Sequence, residues 1–338
     1  MSIEPLDTDR ARAAGRAVAE ASTVCRLVQR DIERVRSVTK DDRSPVTVAD
    51  FASQAVVAHR LAQAEPELAL VGEEGSAALR ASALLRAEVL TAVRSVWPDA
   101  TEDDVLEALD LAAHDGGAGA FWTIDPIDGT KGFLRGQQYA VSLARIEKGA
   151  ATLGVLGCPN LSADAALPPD RVDETGVIYL AAIGGGAFEM DADGVKGRLI
   201  RCASWKTGTP IRLCESVETG HSSHSATSRI VDRLGGAGAP ARLDSQCKYA
   251  VVARGQADAY LRMPTKPGYV ERIWDHAAGA LVATEAGCRV SDIRGIRLDF
   301  GRGRGLEDNL GVICASPNLH EELVGAISDL GLDTPPTA

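Results

Sequence analysis

The chain has 338 residues, 45% of them hydrophobic, and a formal charge of −11. That length supports one large or two medium domains, each with its own core. The acidic balance argues against non-specific nucleic-acid binding, which needs a basic face, and no run of 18 uncharged apolar residues exists to span a membrane. The opening stretch MSIEPLDTDRARAAG has no apolar signal-peptide core and is not the acid-poor leader of an organelle precursor, so a cytoplasmic protein is expected. Seven cysteines are scattered without a C-x-x-C, which predicts buried free thiols rather than a disulfide framework or a zinc site.

Residues 6–37 carry Ala14, Val18, Ala21, Val24, Leu27, Val28, Ile32 and Val35 at helical spacing, predicting a long amphipathic helix. In residues 41–63, Pro45 ends a loop and Thr47 reads as an N-cap with Asp50 three positions later. Asp50 is then either that cap alone or a catalytic carboxylate, and the local pattern leaves both open. ELALVGEEG, 67–75, is a short apolar strand ending in Glu73 and Glu74, two acids that are either solvated or a source of a metal ligand. Two or three helices follow over 76–112, and the Gly-rich 114–120 reads as a linker.

Residues 120–124 are apolar and β-prone, a buried strand that runs into TIDPIDGTKGF, 123–133. Pro126 presets φ and Gly129 tolerates the positive φ of a turn exit, so Asp125 and Asp128 sit on a tight turn at the strand's end. Both carboxylates and the carbonyl of Ile127 can then face one side. Two bare carboxylates ~5 Å apart repel by roughly 3 kcal/mol at an effective dielectric near 20. A hard divalent cation such as Mg²⁺ relieves that repulsion and brings substrate phosphates with it. An ordinary Asp-rich surface turn is the alternative for the bare spacing; Thr130, Lys131 and the other carboxylates favour the metal.

Paired strands are predicted over 139–146 and 152–158, around the turn at 147–149, and more antiparallel strands over 176–183, 187–190 and 198–202. The stretch 161–175 is a surface excursion. A composition change at 204–210 suggests the boundary between an N-terminal α+β domain, 1–203, and a C-terminal α/β domain, 204–338. Beyond it come strands at 211–214, 259–263 and 312–315, a Ser/His-rich loop entering a helix over 221–234, and helices at 246–254, 274–286 and 319–330. GRGRG, 301–305, reads as an exposed hairpin loop. Asp275 opens the helix WDHAAGALVATEAG, where it either complements the helix dipole or points into a cleft among small residues. His276 reads as a packing histidine. His221 and His224 lack further zinc ligands, so their loop suits phosphate or sugar contact. Ser245, Lys248 and Arg262 each allow a surface reading, although Arg262, mid-strand between Leu261 and Met263, suits a cleft.

D-P-I-D-G-T at 125–130, G-E-E at 72–74 and W-D-H-A-A-G at 274–279 resemble the lithium-sensitive, Mg²⁺-dependent phosphomonoesterases of the inositol monophosphatase and fructose-1,6-bisphosphatase superfamily. SPVTVADFASQAVV (44–57), KGFLRGQQYAVSLA (131–144), ETGHSSH (218–224) and LDSQCKYAVVARGQADAYLRMP (243–264) are similar to its 3′(2′),5′-bisphosphate nucleotidase branch. The resemblance covers roughly residues 5–325; an acidic insertion after 160 and a longer Gly/Ala stretch at 235–240 are the departures. It implies an α/β five-layer αβαβα sandwich that binds two to three Mg²⁺ and is inhibited by Li⁺ and Ca²⁺. Glu73, Asp125, Ile127 (through its carbonyl), Asp128 and Asp275 would hold the metals. Asp50 and Thr130, with Glu73, would activate the attacking water. Asp128, Gly129, Thr130, His221, Ser245, Lys248, Arg262 and Asp275 would contact the nucleotide.

The expected reaction is hydrolysis of adenosine 3′,5′-bisphosphate (PAP) to AMP and phosphate, with the 5′-phosphosulfate (PAPS) as a further substrate and sulfur assimilation as the setting. An inositol phosphatase or dual enzyme is the near alternative, and a non-catalytic nucleotide sensor the remote one. No nucleic-acid or membrane partner is expected. A monomer is, with a dimer as the alternative.

Overall fold

The computed structural model describes residues 8–31, 45–218 and 222–336. The N-terminal half supplies α1 (Asp9–Arg30), α2 (Pro45–Ala64), strand β1 (Leu70–Gly72), and helices α3 (Ala77–Arg80), α4 (Ala83–Val93) and α5 (Glu102–Asp110). Then come β2 (Phe121–Asp128), the short α6 (Thr130–Leu134), and strands β3 (Ala140–Glu147), β4 (Ala150–Cys158), β5 (Val177–Ala182), β6 (Gly186–Met190) and β7 (Gly197–Leu199). The remainder runs β8 (Leu213–Glu215), α7 (His224–Arg233), β9 (Ala241–Arg242), α8 (Cys247–Ala253), β10 (Ala259–Arg262), a 3-10 turn (Ile273–Asp275), α9 (Ala277–Glu285), β11 (Arg289–Ser291), β12 (Val312–Ala315) and α10 (Pro317–Asp329).

Strands β1 to β7 form one sheet in chain order, antiparallel except for the parallel pair β1–β2. The β3–β4 hairpin closes through Lys148 and Gly149, both at positive φ (51° and 72°), as a two-residue turn that matches strand twist requires. The second sheet has the order β11-β12-β10-β8-β9.

Side-chain alternation along the strands divides the interior into three cores, which stack the elements into five layers. Trp122, Ile124, Val141 and Leu143 face α1, α2, α4 and α5. Phe121, Ala144, Leu156 and Tyr179 face the opposite way, onto α8 and α9, and beyond those helices lie Tyr260 and Cys314 of the second sheet. Their strand neighbours Leu261 and Ile313 point outward onto α7 and α10. Helix, sheet, helix, sheet, helix is the αβαβα order expected from the sequence. Small residues allow the close approaches: α1 buries Ala14, Ala17 and Ala21 beside Ala49, Ala52 and Ala55 of α2. No helix among the described residues is long and apolar enough to cross a membrane.

Several local expectations change. The first helix ends at Arg30, and Ile32 and Val35 lie outside the described residues. Thr47 is not an N-cap: α2 already begins at Pro45, whose fixed φ and missing N–H suit a first helical turn, so Asp50 is an interior helix residue. Strand pairing stops at Leu199 rather than 202. The 301–305 stretch is not an exposed hairpin, because Arg304 stacks on Trp274 with its guanidinium 4.8 Å from the ring and donates to the Gly72 carbonyl at 2.5 Å. All seven cysteines are free thiols, six of them buried.

The middle layer leaves no room at Gly279. An added Cβ would stand 2.4 Å from the Tyr249 ring, which a hydrogen bond to His276 holds in place. Gly279→Ala should therefore lower stability by about 1–3 kcal/mol despite the better helix propensity of alanine, which is worth about 1 kcal/mol. Urea denaturation checks this, and unchanged or increased stability would show that the ring yields.

Candidate active site

The site begins with strand register. Gly72 pairs with Ile124 in the parallel β1–β2 ladder, so the next residues, Glu73 and Asp125, emerge side by side. Residues three apart on a regular strand face opposite sides. Here Asp125 pairs with Ser142 but Asp128 with Ala140, so three steps on β2 oppose two on β3. This one-residue bulge restores a common face, and Asp125 and Asp128 both line the same cleft. The strand thus runs through the acidic motif, and the reversal comes only at Gly129 (φ 89°), where an added Cβ would meet Ser245 at 2.9 Å.

The polar face of α2 fixes these loops. Ser53 donates to the Pro126 carbonyl at 3.0 Å, and Gln54 bonds both the carbonyl and the N–H of Glu74, at 2.7 and 3.0 Å. Asp50, buried on the same helix, is close enough to Glu73 and Glu74 to feel their charges. Thr130 opens α6 and is exposed, its hydroxyl 3.4 Å from the Ile127 carbonyl; no direct hydrogen bond joins it to Asp50.

From the other half of the chain, the Gln246 N–H donates to Asp128 at 2.5 Å. The Gln246 side chain donates to the Trp274 carbonyl and accepts from the Gly279 N–H, both at 2.9 Å. These bonds tie the start of α8 to the 3-10 turn that carries Asp275. Asp275 therefore precedes α9 instead of occupying its first turn, and it faces the cleft with Glu73, Asp125 and Asp128.

The cleft encloses about 350 Å³. Its other walls include Ser245, Lys248 and Arg262, none of which is a surface residue. Lys248 is buried, donating to the carbonyls of Ser245 at 2.7 Å and Leu243 at 3.3 Å, with its ammonium 5.2 Å from the Tyr260 ring. Tyr269, 54% exposed, stands at the cleft. The cleft thus brings together Glu73, Asp125, Ile127, Asp128, Gly129, Thr130, Ser245, Lys248, Arg262 and Asp275; Asp50 lies behind it, and His221 lies outside the described residues. A larger groove, about 560 Å³, is walled mostly by apolar groups such as Leu281, Leu298 and Phe300, and its acids are engaged elsewhere. Glu285 there accepts from the Gly184 and Gly186 N–H groups, and Glu321 pairs with Arg289.

Burial and mutual repulsion govern the electrostatics. Burial, then the charge of Asp275, pushes Glu73 up to about 7. Burial lifts Asp275 to about 6 against the pull of Arg262. Burial and the neighbouring acids drive Asp125 and Asp50 well above the usual carboxylate range. Asp128 is raised by burial, with Lys248 and the Gln246 N–H opposing. A desolvated cluster of hard oxygen donors short of countercharge fits a divalent cation. Glu73, Asp125, Asp128, Asp275 and the Ile127 carbonyl could hold one or more. The tightest set of ligand atoms among the described residues is a different one: Glu271, Asp275 and His276, all within 4.8 Å. It already has a cation, since Arg262 sits 2.6 Å from Glu271.

Sequence reasoning missed Ser53, Gln54, Gln246 and Glu271. A hint existed for the first two, since they share a helix face with Asp50 at i+3 and i+4. Glu271 had the weaker signal of an acid four residues before Asp275. Asp244 was also missed; it is buried beside Gly129, pairs with Arg135, and leaves its Oδ1 without a partner.

Residues 3–332 match the inositol monophosphatase family, and the chain belongs to that family. It is 40% identical over 326 residues to the 3′(2′),5′-bisphosphate nucleotidase 1 of Candida albicans (strain SC5314), covering 90% of this chain and 89% of that one. The 3′(2′),5′-bisphosphate nucleotidase of Schizosaccharomyces pombe is 41% identical over 303 residues, covering 86% and 85%. Among solved structures, Mycobacterium tuberculosis SuhB superposes with a TM-score of 0.61 at 23% identity, over 97% of this chain and 100% of that one, a likeness of fold.

Because the folded-state values of Glu73 and Asp275 are raised, the protonated forms favour folding at low pH, and that contribution is lost as pH rises through about 6 to 7. A divalent cation that needs the ionised forms reverses the loss. The melting temperature with excess divalent cation, minus that in chelator, should widen by several °C between about pH 5.5 and about pH 8. Thermal melts at both pH values test this; a constant difference would mean that the cluster does not bind the ion.

Proposed function

We propose that the chain is a Mg²⁺-dependent phosphomonoesterase that removes the 3′-phosphate of PAP to give AMP and phosphate, with PAPS as a second substrate. The observation that carries the reading is the charge pattern of the cleft: Glu73, Asp125, Asp128 and Asp275 line it together with Lys248 and Arg262, and the Arg262 Nη2 stands 3.9 Å from Asp275 Oδ2. The names of the relatives supply the nucleotide, and the charge pattern suits a bisphosphate better than a neutral sugar phosphate.

Magnesium held by Glu73, Asp125, the Ile127 carbonyl, Asp128 and Asp275 would polarise the phosphoryl oxygens and neutralise the charge that grows on them. Asp50 and Thr130 orient the attacking water, and Asp50, held well above the usual carboxylate range, is suited to take its proton. Attack in line on phosphorus breaks the bond to the ribose 3′-oxygen without a covalent intermediate. Ser245, Lys248, Arg262 and His221 hold the nucleotide, and Gly129 leaves room for the phosphate beside Asp128.

On this reading one domain, 1–203, carries most of the metal ligands, and the other, 204–338, carries Asp275 and the nucleotide contacts. We place the enzyme in the cytoplasm as a lithium-sensitive monomer that serves sulfur assimilation.

The deciding experiment measures phosphate release from PAP and from inositol 1,4-bisphosphate with Mg²⁺. The kcat/KM for PAP should be at least about a hundredfold higher, roughly 2.7 kcal/mol of transition-state preference. Comparable values would assign a dual phosphatase, and activity on neither would assign a sensor. Thr130→Ala should reduce kcat by about 10²-fold or more with KM little changed. A rise in KM alone would make Thr130 a binding residue.

A further inference from the structure

Arg262 has two carboxylates within reach. Its Nε donates to Glu271 Oε1 at 2.8 Å and its Nη2 lies 2.6 Å from Glu271 Oε2, a two-point grip. The same Nη2 stands 3.9 Å from Asp275 Oδ2, about 1 Å longer than a typical hydrogen bond. One guanidinium is thus shared unequally, and Glu271 takes it.

Glu271 is itself anchored. Its backbone carbonyl accepts from the Leu306 N–H at 2.8 Å, and its carboxylate faces His276 Nε2 at 3.4 Å. A carboxylate only accepts, so the proton of that contact sits on Nε2. In the neutral ring Nδ1 then accepts from the Tyr249 hydroxyl, 2.8 Å away. Both Glu271 and His276 are buried. The chain Tyr249–His276–Glu271–Arg262 therefore has little freedom, and its acid and base cancel in charge.

We propose that Glu271 is a positioning residue that keeps Arg262 off Asp275, leaving Asp275 available to a divalent cation and the outer edge of Arg262 available to an anionic substrate. The proposal rests on the reading of Asp275 as a metal-facing carboxylate. Without Glu271, the nearest acid able to neutralise a buried guanidinium is Asp275, and a movement of about 1 Å would engage it. The lone pairs that a cation needs would then be occupied. The cluster of Glu271, Asp275 and His276 is accordingly a clamp around an arginine rather than a second metal centre.

The test is Mn²⁺ affinity of the full chain, followed by electron paramagnetic resonance with folding checked by circular dichroism. Glu271→Gln should weaken Mn²⁺ binding about tenfold, and Glu271→Gln/Arg262→Gln should restore it to within about threefold of the parent. Asp275→Asn is the control for the underlying reading and should bind weakly. Parent-like affinity in Glu271→Gln, with Asp275→Asn weak, would overturn the clamp and leave the metal reading standing. Parent-like affinity in Asp275→Asn would overturn both. A double variant as weak as the single one would show that the loss does not pass through Arg262 and would also overturn the proposal. Should Glu271→Gln not fold, Glu271→Asp carries the comparison: a weakening of a few fold supports the clamp, and full affinity overturns it.

Discussion

Repulsion between buried carboxylates is the constraint on which this structure turns. Glu73, Asp125, Asp128 and Asp275 share one cleft, with Asp50 just behind, and among the described residues none of the five has an arginine or lysine within 3.5 Å. Left to itself such a group would separate or take up protons. The fold prevents separation by fixing main chain, not side chains. The β1–β2 register puts Glu73 beside Asp125, the β2 bulge turns Asp128 to the same side, and Gln246 delivers Asp275 through its grip on the 3-10 turn. The energy that holds the acids together is therefore the packing energy of the three cores, spent on a local arrangement that opposes it.

That division of labour explains the polar residues behind the cleft. Ser53 and Gln54 are buried on the same helix as Asp50, and each grips backbone of an acid-bearing loop. Gly129 and Gly279 mark places where a side chain would collide with Ser245 or with Tyr249. Arg304, from a loop that reads as exposed, crosses over to the Gly72 carbonyl and roofs Trp274. Together these contacts immobilise the backbone on both sides of the cleft.

How much of this was legible in the sequence depended on range. The acid-bearing motifs at 72–74, 125–130 and 274–279 are contiguous, and each carries its own strand end or turn signal, so they stood out. The paired strands at 139–146 and 152–158 emerged from the Glu147-Lys148-Gly149 turn between them, which is a local property too. Gln246, Glu271 and Arg304 were opaque because their partners lie 33, 9 and 232 positions away, and nothing near them announces the partner. Thr47 misled for a related reason: Ser/Thr-x-x-Asp looks like a cap wherever it falls, and the earlier Pro45 had already started the helix. The parity problem of Asp125 and Asp128 could be posed from spacing alone, but its solution by a bulge needed the register of β3.

The bond from Gln246 to Trp274 and Gly279 has a bearing on how the protein is made. Asp275 closes a cleft whose first acid lies some 200 positions earlier in the chain, and the elements that orient it, α8 and α9, leave the ribosome last but for the final strands and helix. The first sheet, with its three adjacent acids, is synthesised well before its fourth carboxylate exists. During that interval the nascent chain presents an incomplete acid cluster, and the middle core has no α9 to cover the face bearing Leu156 and Tyr179. Assembly of the acid cluster, and the repulsion that comes with it, is thus deferred until synthesis has passed α9, so the first sheet forms against three close carboxylates rather than four.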